Sequence, residues 1–214
     1  MNIGIIGGTG AFGQGLSLRW ASAHRIIIGS RDPDKAESVV AKQNQTLSLG
    51  ENTIAGAGNA EATQRSELVV LSVKFENLDG ILADYGKLLA GKIVLSPITN
   101  IVKEDYFQNR PPVCGSAALW IQEQLPDSKV IAAMHLIPAH RLKKYDHPIE
   151  GDVPVCGDDQ EAKEVAMGLI QEISNLRAID AGPLKAAEVV EPIVPLLLNL
   201  KTFGGLKSTS VRFI

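Results

Sequence analysis

The sequence predicts an α/β fold, a doubly wound parallel sheet with a small C-terminal α/β domain. Three observations carry this. Short, almost wholly apolar runs bounded by glycine or proline recur along the chain, as strands buried on both faces require. Segments with apolar residues at helical spacing lie between them, and strands that alternate with helices pair in parallel. A G-x-G-x-x-G motif follows the first apolar run directly.

Each element has its own reason. Asn2–Ile6 is the first strand. Residues 13–23 carry Leu16, Leu18, Trp20 and Ala21 at helical spacing. Residues 25–28 form the second strand, ended by Gly29-Ser30-Arg31-Asp32. Asp32 caps a helix that starts with Pro33 and runs through Val40. Residues 53–55 are a weak strand, 68–73 a strong one, and 93–96 another, stopped by Pro97. A helix over 117–124 leads to a strand over 130–133. Residues 153–156 form a short strand. Asp158 and Asp159 then open a helix, where acids suit the dipole, with Val165, Ala166, Leu169, Ile170 and Ile173 as its buried stripe. A strand at 178–179 precedes a helical segment over 186–200. Pro192 and Pro195 should kink or split that segment. It is apolar nearly all round, so it should be buried under the first domain or against a second subunit.

The 214 residues suit one domain plus a small appendage, at about 150 residues per domain. Pro138, Pro148 and Gly151 punctuate the transition, which divides the chain into 1–145 and 146–214. Hydrophobic residues at 45% and charged residues at 21% exclude disorder. A net charge of -3 disfavours a nucleic-acid binder, which needs a basic footprint. Cys114 and Cys156 make no disulfide framework. Neither a secretory leader nor an apolar run of membrane-spanning length is read, so the expected location is the cytoplasm, away from membranes.

The glycine motif reads Gly8-Thr9-Gly10-Ala11-Phe12-Gly13. Between a strand and a helix it is a Rossmann-type phosphate loop. Gly8 is expected to make the tight turn, Gly10 to let the pyrophosphate approach, and Gly13 to pack helix on strand. The helix N-terminus supplies N–H donors for the anion. A purely structural glycine turn is the plainer alternative. At the end of the second strand an NAD site would carry a carboxylate on the ribose. Here stand Ser30 and Arg31, with Lys35 one helical turn on. These groups would bind a 2′-phosphate, Arg31 by charge-assisted bonds, so NADP is favoured unless they are simply solvated charges.

His135 and His140 lack metal-site spacing, and no metal is expected. His135 follows a strand, where open α/β sheets bind ligands. It is read equally as a structural histidine or a ligand contact. Arg141, Lys143 and Lys144 form a basic cluster, a solvated face or a seat for an anionic substrate tail. The two cysteines read as inert thiols. No catalytic acid–base set is evident. Transfer between two conjugated rings needs mainly alignment, so no catalytic side chain is assigned.

Several segments occur together: Gly7-Gly8-Thr9-Gly10-x-x-Gly13, Ser30-Arg31 with Lys35, Ser96-Pro97, and His135-x-Ile137-Pro138-Ala139. Further on come Asp152-Val153-Pro154-Val155-Cys156-Gly157-Asp158-Asp159, Asp180-Ala181-Gly182-Pro183-Leu184 and Pro195-Leu196-x-Leu198-Asn199. Across essentially the whole chain, this resembles the NADPH-dependent reductases of the deazaflavin coenzyme F420. The resemblance implies NADP on the glycine loop, with Ser30, Arg31 and Lys35 at its 2′-phosphate. It implies coenzyme F420 as co-substrate in a cleft between the domains, and direct hydride transfer between the rings. Val73, Ile98 and Ala139 would line the nicotinamide side. His135, Ile137, Val194 and Leu206 would border the deazaflavin. Leu136 and Val194 are apolar where a small hydroxyl residue is expected. Such proteins are typically homodimers. Two other readings stay open: an NADPH-dependent flavin or metal reductase, and a non-catalytic NADP-sensing module.

Overall fold

The computed structural model describes residues 1–47 and 53–214. The chain runs β1 (Asn2–Ile6), α1 (Ala11–Trp20), β2 (Arg25–Ser30), α2 (Pro33–Leu47), β3 (Ile54–Gly58), α3 (Asn59–Gln64), β4 (Leu68–Leu71), α4 (Leu78–Leu89) and β5 (Ile93–Ser96). A small hairpin follows, β6 (Ile101–Lys103) with β7 (Phe107–Asn109). Then come α5 (Ala117–Gln124), β8 (Lys129–Ala132), α6 (Ala139–Leu142), β9 (Gly151–Gly157), α7 (Gln160–Gln171) and β10 (Leu176–Asp180). The chain ends with α8 (Ala187–Val190), α9 (Ile193–Phe203) and a C-terminal tail.

Among the described residues, eight strands form one sheet in the order β10-β9-β8-β5-β4-β1-β2-β3. The chain winds outward from β1 to β3, then returns to start again at β4 on the other side. This reversal opens a crevice at the carboxyl ends of β1 and β4, where such sheets take ligands. All pairings are parallel except β8 with β9, which meet only at Ile131–Gly157 and Ala132–Cys156.

Strand side chains alternate between two cores, which is why these strands read as continuous apolar runs. Ile3, Ile5, Val70, Leu95 and Ile131 share one face with Leu16 and Trp20. Ile6, Val69, Leu71, Val94 and Val130 share the other with Leu78, Leu82 and Ile121. Strands β9 and β10 extend this same sheet. Val153, Val155, Ala166 and Leu169 enter the core of Ile3 and Trp20. The Trp20 indole donates to the Leu169 carbonyl at 2.8 Å. Arg19 donates to the carbonyls of Leu142, Arg141, Lys144 and His147 at 3.1, 3.0, 2.6 and 2.7 Å. Helix α1 thus joins the glycine loop to the later segments.

Two expectations are corrected. Val165 was placed on the buried stripe of α7 but is 36% exposed. Lys163 fills the stripe instead, with its stem buried and its ammonium on Asp180 at 2.9 Å and the Gly182 carbonyl at 3.0 Å. The segment over 186–200 divides at Glu191-Pro192, as its prolines suggested. Pro195 falls in the first turn of α9, where no N–H is required. The segment is not buried under the rest of the single chain: Val189 and Leu196 are 71% and 54% exposed.

Glu191 fixes the break between α8 and α9. Its carboxylate is fully buried and accepts from the Ala117 and Ala118 N–H groups at 2.9 and 3.1 Å, at the start of α5. Burial outweighs these bonds and raises its pKa from 4.5 to about 7. Between those values the folded chain holds a proton that the unfolded chain releases, so this group's contribution to stability falls as pH rises. His135, pushed down to about 4 by burial, acts in the opposite direction between 4 and 6.5. The comparison with Glu191→Gln isolates the first effect. The variant's stability relative to the unsubstituted chain should improve from pH 5 to pH 7.5 by roughly 2–3 kcal/mol, as measured by denaturant melts. A difference that does not vary with pH would contradict it.

Candidate functional site

The loop from Gly7 to Gly13 is built by close approaches that only glycine permits. The left-handed residue is Gly7, with φ +75°, where a Cβ would collide with the Ser72 carbonyl of the neighbouring strand end. The tight turn was assigned to Gly8, so this moves it by one residue. Gly8 instead serves packing: a Cβ there would lie 2.8 Å from the Ile5 carbonyl and 2.9 Å from Ile28 Cγ2. A Cβ on Gly13 would lie 2.6 Å from Gly8 Cα, so helix and strand touch through two glycines. Gly10 differs from all three. Its backbone is extended at φ -75°, ψ 164°, and a Cβ would meet only the Gly7 carbonyl at 3.3 Å. It is exposed and caps α1 with no side chain. The first N–H groups of α1 have no intrahelical acceptor and open onto this space. Gln14 Nε2 donates to the Thr9 carbonyl at 2.7 Å and steadies the loop.

Beside the loop lies a cavity of about 550 Å³ that Thr9, Ser30, Arg31, Lys35 and Val73 line together. Thr9, Ser30, Arg31 and Val73 come from the ends of β1, β2 and β4, and Lys35 from the first turn of α2. Ser30 Oγ accepts from the Asp32 N–H at 3.2 Å. Asp32 is turned back onto its own helix, its Oδ1 accepting from the Lys35 N–H at 3.3 Å. Arg31 and Lys35 are exposed and make no ion pair among the described residues. Two wall features escaped the sequence reading. Asn59, at the start of α3, is buried with Oδ1 unpartnered. Helix α4 supplies Ile81 and Tyr85 as the far wall.

A second cavity, of about 460 Å³, opens on the other side of the loop. Its walls are largely apolar: Ala11, Leu136, Ile137, Ala139, Val194 and Leu198. Met134 takes a left-handed turn, φ 70°, just past β8, and this swings His135–Ala139 across the strand end. His135 lines the cavity, with both ring nitrogens shut off from solvent and unpartnered. Burial lowers its pKa to about 4, and the nearby Ile98 backbone offsets this only slightly, so the ring is neutral near pH 7. Lys143, Lys201, Ser208 and Thr209 add polar groups.

Some expected residues lie elsewhere. Ile98 is 3% exposed, packs in the core and lines neither cavity, although its backbone lies beside His135. Leu206 is 47% exposed and lines neither. Phe12 is half-buried against the core, and Gly8 and Gly13 shape the loop from within.

A dinucleotide phosphate fits this site on two observations: the clear space above Gly10 and the unpartnered cations of Arg31 and Lys35. A flat conjugated ring with a polar edge fits the second cavity, whose lining joins apolar walls to the polar groups of Lys143, Lys201, Ser208 and Thr209.

Residues 2–100 match a family model described as NADP oxidoreductase, coenzyme F420-dependent. The chain is 36% identical over 217 residues to an F420-dependent NADP reductase of Methanocaldococcus jannaschii, covering 99% of this chain and 97% of the relative. Identity to the reductase of the same name from Methanothermobacter marburgensis is 33% over 218 residues, with the same coverage. The metalloreductase STEAP3 of Rattus norvegicus is 28% identical over 94% of this chain, which spans only 40% of that protein. Among solved structures, a candidate F420-dependent NADP reductase from Arthrobacter sp. FB24 superposes with a TM-score of 0.82 at 24% identity, covering 100% of this chain and 99% of that one, which speaks for the fold. With full-length relatives at 33% and 36% identity, the chain belongs to the F420-dependent NADP reductase family.

Proposed function

We propose that this protein is an NADP-dependent oxidoreductase that passes a hydride between NADP(H) and the deazaflavin coenzyme F420. One observation carries the reading. The polar, cationic cavity and the apolar cavity meet at a single loop, with Thr9 lining the first and Ala11 the second.

When bound, the two coenzymes supply the redox chemistry themselves, a hydride exchanged between conjugated rings. The protein's part is to hold and align them. The loop amides and the open space at Gly10 receive the pyrophosphate. Ser30, Arg31 and Lys35 take the 2′-phosphate, and Val73 and Ala139 bound the nicotinamide. His135, Ile137 and Val194 bound the deazaflavin. The apolar walls would exclude water from the reaction between the bound rings. His135, neutral near pH 7, adds no charge to those walls. Residues 1–145 carry the nucleotide site in this reading, and 146–214 complete the second pocket. A net charge of -3 speaks against a nucleic-acid partner. No helix among the described residues is long and apolar enough to cross a membrane. We place the protein in the cytoplasm, as a homodimer; the exposed Leu196, Leu200 and Phe203 of α9 support a second copy there.

Absorbance changes with NADPH and, in parallel, coenzyme F420, FMN, FAD or ferric chelate test the function. Fast reduction confined to the deazaflavin is expected. The likeness to a metalloreductase makes ferric or flavin reduction the competing outcome, and NADPH binding with no turnover would leave a sensing role. For the cofactor half, Arg31→Ala should weaken NADP binding by roughly 10- to 100-fold, the worth of about 1.5–3 kcal/mol for a charge-assisted bond. NAD binding should hardly change. Equal loss for both, measured by titration calorimetry, would remove Arg31 from the 2′-phosphate.

A further inference from the structure

After α9 the chain turns back along the second cavity, and Ser208 and Thr209 join its lining. It then reaches the start of β9. Strand β10 covers one side of β9 from Gly151 to Val155, but β8 meets the other side only at Cys156 and Gly157. The first half of β9 would otherwise present a bare edge. The tail fills it: the Asp152 N–H donates to the Val211 carbonyl at 2.8 Å.

The Asp152 side chain then clamps the tail. Asp152 is 1% exposed, and its carboxylate accepts from Arg177 Nε and Nη2, both at 2.6 Å. It also accepts from the Phe213 N–H at 2.5 Å, while Arg177 Nη2 donates to the Phe213 carbonyl at 2.6 Å. These bonds grip main-chain atoms on both sides of Arg212. A chain end this exposed normally frays. Burying a carboxylate costs solvation, and here the fork from Arg177 and the Phe213 amide offset it. The clamp also abuts the cavity. A Cβ on Gly151 would lie 3.6 Å from Ser210 Cβ and 3.7 Å from Ile137 Cδ1, so tail, strand start and cavity wall share one packed layer.

We propose that Asp152 and Arg177 are positioning residues for the second cavity. They act through the C-terminal strap, holding Ser208 and Thr209 where their hydroxyls can bond a polar edge of the deazaflavin. The proposal rests on the reading of that cavity as the deazaflavin site. It assigns a job to an ion pair between a buried carboxylate of β9 and a half-exposed arginine of β10.

The test uses the full chain, Arg177→Gln, Arg177→Lys and a chain ending at Lys207, which keeps the ion pair and loses the strap. Hydrogen exchange of the Asp152 and Phe213 amides, which the clamp bonds, is read without ligand. Exchange should quicken roughly tenfold or more in Arg177→Gln, and partly in Arg177→Lys. The KM for coenzyme F420 should rise roughly tenfold in Arg177→Gln and in the shortened chain, with the KM for NADPH unchanged. A strap that stays protected in Arg177→Gln would overturn the proposal. So would an unaltered KM for coenzyme F420 in the shortened chain. If the unsubstituted chain does not bind coenzyme F420, the functional reading fails, and the exchange data still decide separately whether the clamp holds the strap.

Discussion

Replacing Gly10 by valine should abolish binding of NADP and NAD alike while leaving the fold intact. The backbone at φ -75°, ψ 164° lies in the extended region that valine favours, and the new Cβ meets only the Gly7 carbonyl, at 3.3 Å. The cost to folding should be about 1 kcal/mol or less, since valine is a poorer helix cap than glycine. The branched side chain would stand over the N–H groups at the start of α1. Losing two charge-assisted bonds, at about 1.5–3 kcal/mol each, weakens binding by roughly 10²- to 10⁴-fold. Circular dichroism and a dinucleotide titration on the same sample read both halves. Gly7→Val is the contrasting case. Its φ of +75° and the Ser72 carbonyl leave no room for a side chain, so it should fail to fold rather than fold without binding. A folded Gly10→Val protein that still binds the dinucleotide would remove the pyrophosphate from this loop.

The two mutants separate what was legible in the sequence from what was not. The motif announced that the glycines matter, and its position after a strand announced why. Which glycine carries the positive φ depends on where Ser72 of a neighbouring strand end lies, and spacing does not encode that. The strands show the same division. Asn2–Ile6 and Ile93–Ser96 have their expected limits because apolar runs ended by glycine or proline leave little choice. Helix α4 and the β6–β7 hairpin were not read. The hairpin is held by Asn199, whose side-chain amide exchanges two bonds of 2.8 Å with the Phe107 backbone from 92 residues away. The Asp152–Arg177 clamp is equally non-local, since it exists only because β9 and β10 are neighbours. Helix α9 illustrates the reverse. Its apolar surface was plain in the sequence, but burial is a property of the assembly, and the single chain leaves Leu196 and Phe203 in solvent.

Val194→Trp should block the deazaflavin while sparing NADP. Either wall of the second cavity could be enlarged, and the structure chooses between them. Ile137 lines the cavity, but it is 4% exposed and packed in the main core, within reach of Gly151 and the strap. A tryptophan there would overpack that core, and lost activity would not distinguish a blocked ring from a damaged fold. Val194 faces the same cavity from α9, half-buried and outside the core clusters. An indole at that position has solvent on one side and the cavity on the other, so the fold should persist with a melting temperature within a few degrees of the unsubstituted protein. Inside the cavity the ring and the indole would compete for one space. At about 1–3 kcal/mol for such crowding, kcat/KM for coenzyme F420 falls roughly 5- to 150-fold. NADP affinity should not change, because Ser30, Arg31 and Lys35, the residues proposed for its 2′-phosphate, line the other cavity. Turnover of coenzyme F420 by Val194→Trp at the unsubstituted rate would exclude this cavity as the deazaflavin site. A parallel loss of NADP affinity would mean that the two cavities do not bind independently across the Thr9–Ala11 loop.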